Sequence, residues 1–359
     1  MKKAAVATVL LAGSVLLAGA VGSSGSFVES VNADVRTDSE TEEAAKKDSA
    51  AGIDTSIPVV PGSRIAVVSK CVSGEFWDMV HKGMSAAVKD INTAYGFKSD
   101  DQIKMTFEGP SDELNVEEQV NTLDAVIAEN PAVLCLSVSD MDSCQAQIET
   151  AMENDIPVIV FDSNVSEDQL VTAFCGTDNE RVGQIAGEKM AEALNQQGKI
   201  LIFSAQGKTE SNQKRVDGFK SAVAEYAGME VAAEIYADQV EDMTAAMQEA
   251  LAQYPDAAGV FCTNADMSDL YLSLEQEETE FPIMIGVDGT TKQQEAVRSG
   301  KEYGIVSQAP YEMGYQTILS AIQTTDPAAE KPDEKILLEP AWIDSTNLES
   351  PEYSNYIYK

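Results

Sequence analysis

Histidine is almost missing from this chain: His81 is the only one in 359 residues. One imidazole cannot build a histidine zinc cluster, and no Ser-His-Asp constellation is evident around it. Positive charge is also scarce, with 24 Lys and Arg against 60 Asp and Glu and a formal net charge of -36. A surface of that sign repels phosphate backbones, so no nucleic-acid partner is expected. Five cysteines, Cys71, Cys135, Cys144, Cys175 and Cys262, are odd in number and lack close paired spacing. A disulfide framework and a Cys-x-x-Cys metal site are therefore not expected. Cys135, Cys175 and Cys262 lie in apolar runs, where a thiol acts as a small hydrophobe.

Two catalytic look-alikes lack a decisive residue. The segment QGKT at 206–209 comes after an apolar run and mimics a phosphate-binding loop, but Ile202 stands where that loop needs glycine. The segment VDGTT at 287 resembles an aspartyl phosphatase loop, yet Gly286 occupies the nucleophile position two residues before Asp288. No catalytic residue, metal or cofactor is expected.

What the chain does contain begins with an export-like start. Lys2 and Lys3 precede an uncharged run from Ala4 to Val21, with an A-x-A cleavage pattern at Ala18-Gly19-Ala20. The run approaches membrane-span length, but its Ala and Gly content and the polar stretch after it favour a cleaved signal over residues 1–20. A lipoprotein signal would place Cys at Ala20, so an anchor is not supported by this sequence. Residues 21–62, rich in Ser, Asp, Glu and Ala, read as an acidic disordered tether.

From residue 64 onward, short apolar runs alternate with amphipathic stretches. Strands are predicted at RIAVVS (64), IKMTFEG (103), AVLCLSV (132), IPVIVFD (156) and LVTAFCG (170). Others come at KILIFSA (199), EVAAEIYA (230), AAGVFCT (257), FPIMIGVD (281) and YGIVSQ (303). Near-continuous apolar character marks parallel strands buried on both faces. Helical patterns fall at about 76–95, 113–130, 142–155, 179–197, 210–226, 241–254 and 310–325. The alternation predicts α/β architecture with doubly wound parallel sheets, and the length suits two of them.

Open α/β sheets receive ligands at the carboxyl ends of their strands. The polar residues closing these runs are Lys70, Asp140, Asp162, Asn264, Asp288 and Gln308. Strand ends meet water and Asp and Asn also favour turns and caps, so each position has a plain structural reading. As a set, carboxylates, amides and one lysine match the needs of a polyhydroxylated ligand. Phe76 and Trp77 stand after the loop CVSGE, where an aromatic ring would stack on a sugar or simply pack the first helix.

In order and spacing, IAVVSKCVSGEFW at 65, IPVIVFDSN at 156, GTDNERVGQIAGEKMAEAL at 176 and IGVDGTTKQQEAVRSGK at 285 resemble type I periplasmic sugar-binding proteins. These are the ribose- and galactose-binding relatives that serve ABC importers. SNQKRVDGF at 211 and YGIVSQAPYEMG at 303 extend the likeness over about 64–345. The resemblance implies two lobes joined by a three-strand hinge with crossings near Gly176, Gln308 and Leu338. The lobes would be 64–176 plus 309–338 and 177–308 plus 339–359. It also implies ligand contacts at Phe76, Trp77, Asp162, Gln213, Asn264, Asp288 and Gln308, with Asp140 joining them; Gln213 is nominated by the resemblance alone.

There are departures from the ribose binders: Gly74-Glu75 replaces their Asn-Pro, Ser163 replaces an Arg, and Gln213 replaces another, with Arg215 close by. The implied function is capture of a monosaccharide or sugar derivative, outside the cytoplasm, for an ABC permease. The alternative is sensing on the same fold, of a furanose-derived quorum signal or as the partner of a chemoreceptor or kinase. A monomer is expected, meeting the membrane through its partner or an anchor.

Overall fold

The computed structural model describes residues 52–274 and 282–359. The predicted signal, 1–20, lies outside the described residues, as does most of the predicted tether. Residues 52–62 are described, and here the tether reading is corrected, because they are held against the first lobe. Tyr95 Oη donates to the carbonyls of Asp54 (3.1 Å) and Ile57 (2.7 Å), Gly62 N–H donates to Asp101 O (2.8 Å), and Ile53 and Val59 pack on the core. No helix among the described residues is long and apolar enough to cross a membrane.

The first lobe runs β1 (Arg64–Val68), α1 (Glu75–Ala94), β2 (Lys104–Glu108), α2 (Val116–Ala128), β3 (Val133–Leu136), α3 (Gln145–Glu153), β4 (Val158–Phe161) and β5 (Ala173–Thr177). The second runs α4 (Asn179–Ala193), β6 (Gln197–Ser204), α5 (Glu210–Ala224), β7 (Gly228–Tyr236), α6 (Met243–Gln253), β8 (Ala257–Cys262), α7 (Ala265–Leu272), β9 (Ile283–Val287), α8 (Thr291–Ser299) and β10 (Gly304–Ser307). The chain then returns through α9 (Pro310–Ile322) and β11 (Lys335–Leu338) before ending in β12 (Ala341–Ile343). Two six-stranded sheets result, ordered β11-β5-β4-β3-β1-β2 and β12-β10-β9-β8-β6-β7. Pairing is parallel except between β10 and β12.

Central strands are buried on both faces, which explains their unbroken apolar runs. In β1, Ile65 and Val67 enter a cluster with Met313 and Ile318 of α9. Ala66 and Val68 point the other way, toward Leu123 and Ile127 of α2. Such two-faced burial holds each strand in one register, since a one-residue slip would exchange the faces.

The chain passes between sheets three times: from β5 to α4, from β10 to α9, and from β11 to β12. Together these make the three-strand hinge of two doubly wound lobes. Helices α7 and α8 are absent from the periodicity reading. Both are short, and in α8 the sequence TKQQEAVRS carries no broad apolar stripe. A capping box between Thr290 and Gln293 and left-handed Gly300 at its end delimit α8 instead.

Candidate functional site

The carboxyl ends of both sheets face a cavity of about 600 Å³. From the first lobe it receives Lys70, Phe76, Trp77 and Asp162, and from the second Asn264 and Asp288, with Gln308 at the hinge. Two strand-end residues, Asp162 (φ 61°) and Asp288 (φ 84°), hold left-handed backbone conformations that non-glycine side chains rarely adopt. Such local strain is tolerated where it aims a side chain. Gly74, at φ 101°, turns the loop into α1, so that Phe76 and Trp77 arrive at the cavity wall.

The two aromatics pack the first helix and also face the cavity. Each is buried in the first lobe's core, and they meet edge to face at 5.0 Å while lining the enclosed volume. Trp77 Nε1 donates to Glu113 Oε1 at 2.9 Å.

Lys70 is 5% exposed, and its ammonium lies 2.9 Å from Asp162 Oδ2 and 3.9 Å from Glu113 Oε2. Burial pulls the lysine pKa down, but the carboxylates of Asp162 and Glu113 outweigh it and hold the charge in place. Asp162 Oδ2 is further held by the hydroxyls of Ser137 (3.2 Å) and Ser163 (3.1 Å).

Asp288 is equally fixed in the second lobe. Its Oδ1 accepts from Gln308 Nε2 (2.6 Å) and from Tyr358 Oη (2.9 Å), and its Oδ2 accepts from Ala265 N–H (2.7 Å). Asn264 caps α7 through Met267 N–H at 3.1 Å, so the capping and cavity-lining readings of this residue hold together.

Two nominated residues lie elsewhere. Gln213 is on the outward side of α5, where its Nε2 donates to Gly207 O at 2.5 Å. Its neighbours Asn212 and Arg215 face the cavity in its place, because successive helical residues are rotated by about 100°. Arg215 is anchored by Nε on Asn179 Oδ1 and Nη1 on Thr263 O, both at 2.8 Å, and lines the cavity. Asp140 sits beyond the cavity at the rim between the lobes, accepting from Asp142 N–H and lying 3.4 Å from Lys208 of the second lobe.

Other residues at the site escaped the strand-end rule. Glu113 comes from the loop before α2 and Asp266 from the first turn of α7, while Tyr358 of the C-terminal tail supports the site through its hydrogen bond to Asp288. Glu113 and Asp266 directly succeed no strand, and Tyr358 stands far from every strand end in sequence.

The lobes meet across the cavity mouth. Thr209 Oγ1 donates to Ser139 O (2.6 Å), Gln206 Nε2 to Glu113 O (2.5 Å), and Met141 N–H to Lys208 O (3.1 Å). Ser163 and Ser211 share a hydroxyl contact at 2.7 Å, and Glu75 Oε2 accepts from Thr291 N–H at 2.7 Å. This is a closed arrangement, with polar groups from two lobes around one enclosed volume.

The family profile for the periplasmic binding protein domain matches residues 65–326. The chain belongs to that family. Like the rest of this family of binding proteins, it is not an enzyme. Among curated periplasmic-binding-protein relatives, the ribose import binding protein of Escherichia coli is 27% identical over 53% of this chain. That match spans 64% of the relative's own length. The ribose import binding protein of Salmonella typhimurium is similar, 27% identical over 51% of this chain and 62% of the relative.

Among solved structures, an Agrobacterium vitis ABC transporter solute-binding protein bound to D-fucose aligns with a TM-score of 0.71 at 26% identity, over 82% of this chain and all of that one. A second from the same organism, bound to α-D-tagatopyranose, gives a TM-score of 0.76 at 24% identity, over 83% of this chain and 99% of that one.

Proposed function

We propose that this periplasmic-binding-protein family member captures a monosaccharide or sugar derivative between its lobes, outside the cytoplasm, and hands it to an ABC permease. The observation carrying this reading is the convergence of two strand-end carboxylates, Asp162 from one sheet and Asp288 from the other, on a single cavity walled by Phe76 and Trp77. Fixed carboxylates and amides accept from and donate to vicinal hydroxyls, while an aromatic wall receives the apolar face of a sugar ring. The sugars bound by its solved relatives and the import role of its curated relatives support the same assignment.

The mechanism is hinge closure by differential affinity. A ligand touching both lobes stabilises the closed state over the open one by its additional contacts there. Lys70, Phe76, Trp77 and Asp162 would grip from the first lobe, and Asn264, Asp288 and Arg215 from the second, with Gln308 at the hinge. The closed surface is then what a permease distinguishes from the empty receptor. The chain would act as a monomer, and its export depends on the N-terminal signal.

The test is thermal shift and then calorimetry against D-ribose, D-allose, D-fucose, D-tagatose and D-arabinose. A true ligand raises the melting temperature in proportion to the logarithm of its concentration. Absence of any shift across monosaccharides and their derivatives, or conversion of a bound sugar to product, would overturn the proposal.

A further inference from the structure

The cavity contains more negative charge than its own cations offset. Asp162 is paired with Lys70, and Asp288 is held by three protein donors. Glu113 has one cation within ion-pair distance, Lys70 at 3.9 Å, and that ammonium stands closer to Asp162. Asp266 makes no ion pair among the described residues, and Arg215, the second cation at the cavity, bonds only the neutral groups of Asn179 and Thr263. Lys70 and Arg215 together are still outnumbered by the carboxylates lining the cavity, and neither cation is paired to Asp266 or to Glu113 alone.

Two further observations point to an occupant. Asp162 is 2% exposed and lines the cavity, yet its Oδ1 accepts no hydrogen bond among the described residues. Asn264, 8% exposed, spends its Oδ1 on the cap of α7 and leaves its amide nitrogen without a partner among the described residues. Both residues line the cavity, where a ligand or water completes such unpartnered polar atoms. A divalent ion is a poor candidate for the missing charge, because no group of three or more His, Cys, Asp or Glu side chains among the described residues is arranged to hold a metal.

We infer that the ligand is a sugar bearing a protonated amine, whose ammonium is received by Glu113 of the first lobe and Asp266 of the second. The inference rests on the monosaccharide reading above and narrows it. An ammonium offers three donors, enough to bond both carboxylates lining the cavity, and its charge offsets one of their two.

The acid–base behaviour of the cavity agrees. Asp266 is open to the cleft's water but hemmed in from both lobes. Desolvation, then Glu113, Asp288 and Asp269, raise its carboxyl to about 7, with Lys70 opposing. Burial also raises Glu113 against the pull of Lys70, and it raises Asp269 and the Cys71 thiol; the carboxylates of Glu75 and Asp112 line the same cavity. In the closed cleft, burial and the neighbouring carboxylates favour the protonated form of Asp266 at mildly acidic pH. An arriving ammonium favours the carboxylate, so binding releases a proton and strengthens on the order of tenfold from about pH 5.5 to 7. A neutral sugar gains nothing from that ionisation.

The experiment is calorimetry on the full chain with matched probes: D-glucose against D-glucosamine and N-acetyl-D-glucosamine, and D-galactose against D-galactosamine. Each is run in two buffers of different ionisation enthalpy. An amine form is expected to bind about tenfold tighter than its neutral partner, with net proton release. Asp266→Asn, a change at an exposed position, is expected to abolish the preference without lowering Tm. Equal binding of neutral and amine forms, or stabilisation by Ca2+ alone, overturns the inference and leaves the monosaccharide reading standing. Failure of every sugar, neutral or amine, removes both.

Discussion

Replacing Asp288 tests the site most directly, because this carboxylate is bound to three donors and is 3% exposed. Asp288→Asn keeps the shape, and Asn tolerates the left-handed backbone at φ 84°. Its amide offers one oxygen where the carboxylate offers two, and its NH2 group must then face at least one donor among Ala265 N–H, Gln308 Nε2 and Tyr358 Oη. Leaving a buried donor unmet costs about 1–3 kcal/mol of folding stability, read in Tm, whereas losing a charge-assisted bond to ligand costs about 1.5–3 kcal/mol of affinity. The expected loss is therefore about 10- to 150-fold in Kd. Calorimetry against the strongest sugar binder measures it, beside Tm of the empty protein. Asp288→Ala and Asp288→Gly complete the series. Both delete the carboxylate, but only alanine incurs left-handed strain, so the glycine variant should be about 1 kcal/mol more stable. An Asp288→Asn protein with wild-type Kd and wild-type Tm would refute the reasoning, since neither the ligand nor the three donors would then need the carboxylate.

Tyr358 spans the lobes, packing its ring 6.1 Å from Phe76 and donating its hydroxyl to Asp288. Tyr358→Phe keeps the packing but leaves Gln308 as the one protein donor to Asp288 Oδ1 and loosens the carboxylate, so sugar affinity should fall several-fold to about tenfold while Tm moves by only a few degrees. An unaltered titration would remove Tyr358 from the site. Glu302 is 1% exposed, and burial pushes its carboxyl well above the ordinary range. A carboxyl raised on folding contributes its full stability below the unfolded pKa and loses it as pH rises through the folded value. Glu302→Gln should therefore raise Tm at neutral pH and change it little near pH 4 (about the unfolded pKa), and melting curves at the two pH values check both halves. Gly183 of α4 and Gly218 of α5 let the helices touch: a Cβ at Gly183 would stand 2.1 Å from Arg215 O. Gly183→Ala should cost about 1–3 kcal/mol in denaturant unfolding and weaken sugar binding by displacing Arg215; a neutral result on both counts would contradict the packing.

Much of the site was legible because of one geometric rule. Lys70, Asp162, Asn264, Asp288 and Gln308 each close an apolar run, and in a parallel sheet such residues emerge on the same edge. Asp140 obeys the rule in sequence but not in space. The strand before it ends at Leu136, and the next turns carry Asp140 to the rim, opposite Lys208. Gln213 failed for a different reason: family likeness pointed to a stretch of helix, and the rotation of about 100° per residue gave the cavity to Asn212 and Arg215. Helices α7 and α8 were missed because their burial is too narrow for an apolar stripe and their ends are set by caps.

Local periodicity and side-chain chemistry, which the sequence carries by itself, determined two sets of doubly buried strands, the polar residues at their ends, and a charge hostile to nucleic acid. Tertiary structure alone decided which of those residues share one enclosed volume; it brought in Glu113 and Asp266 from a loop and a helix turn, and set Tyr358 of the C-terminal tail behind Asp288. The reason is physical. Strand and helix periods act over a few residues, whereas a cavity between lobes depends on where three hinge crossings place side chains far apart along the chain.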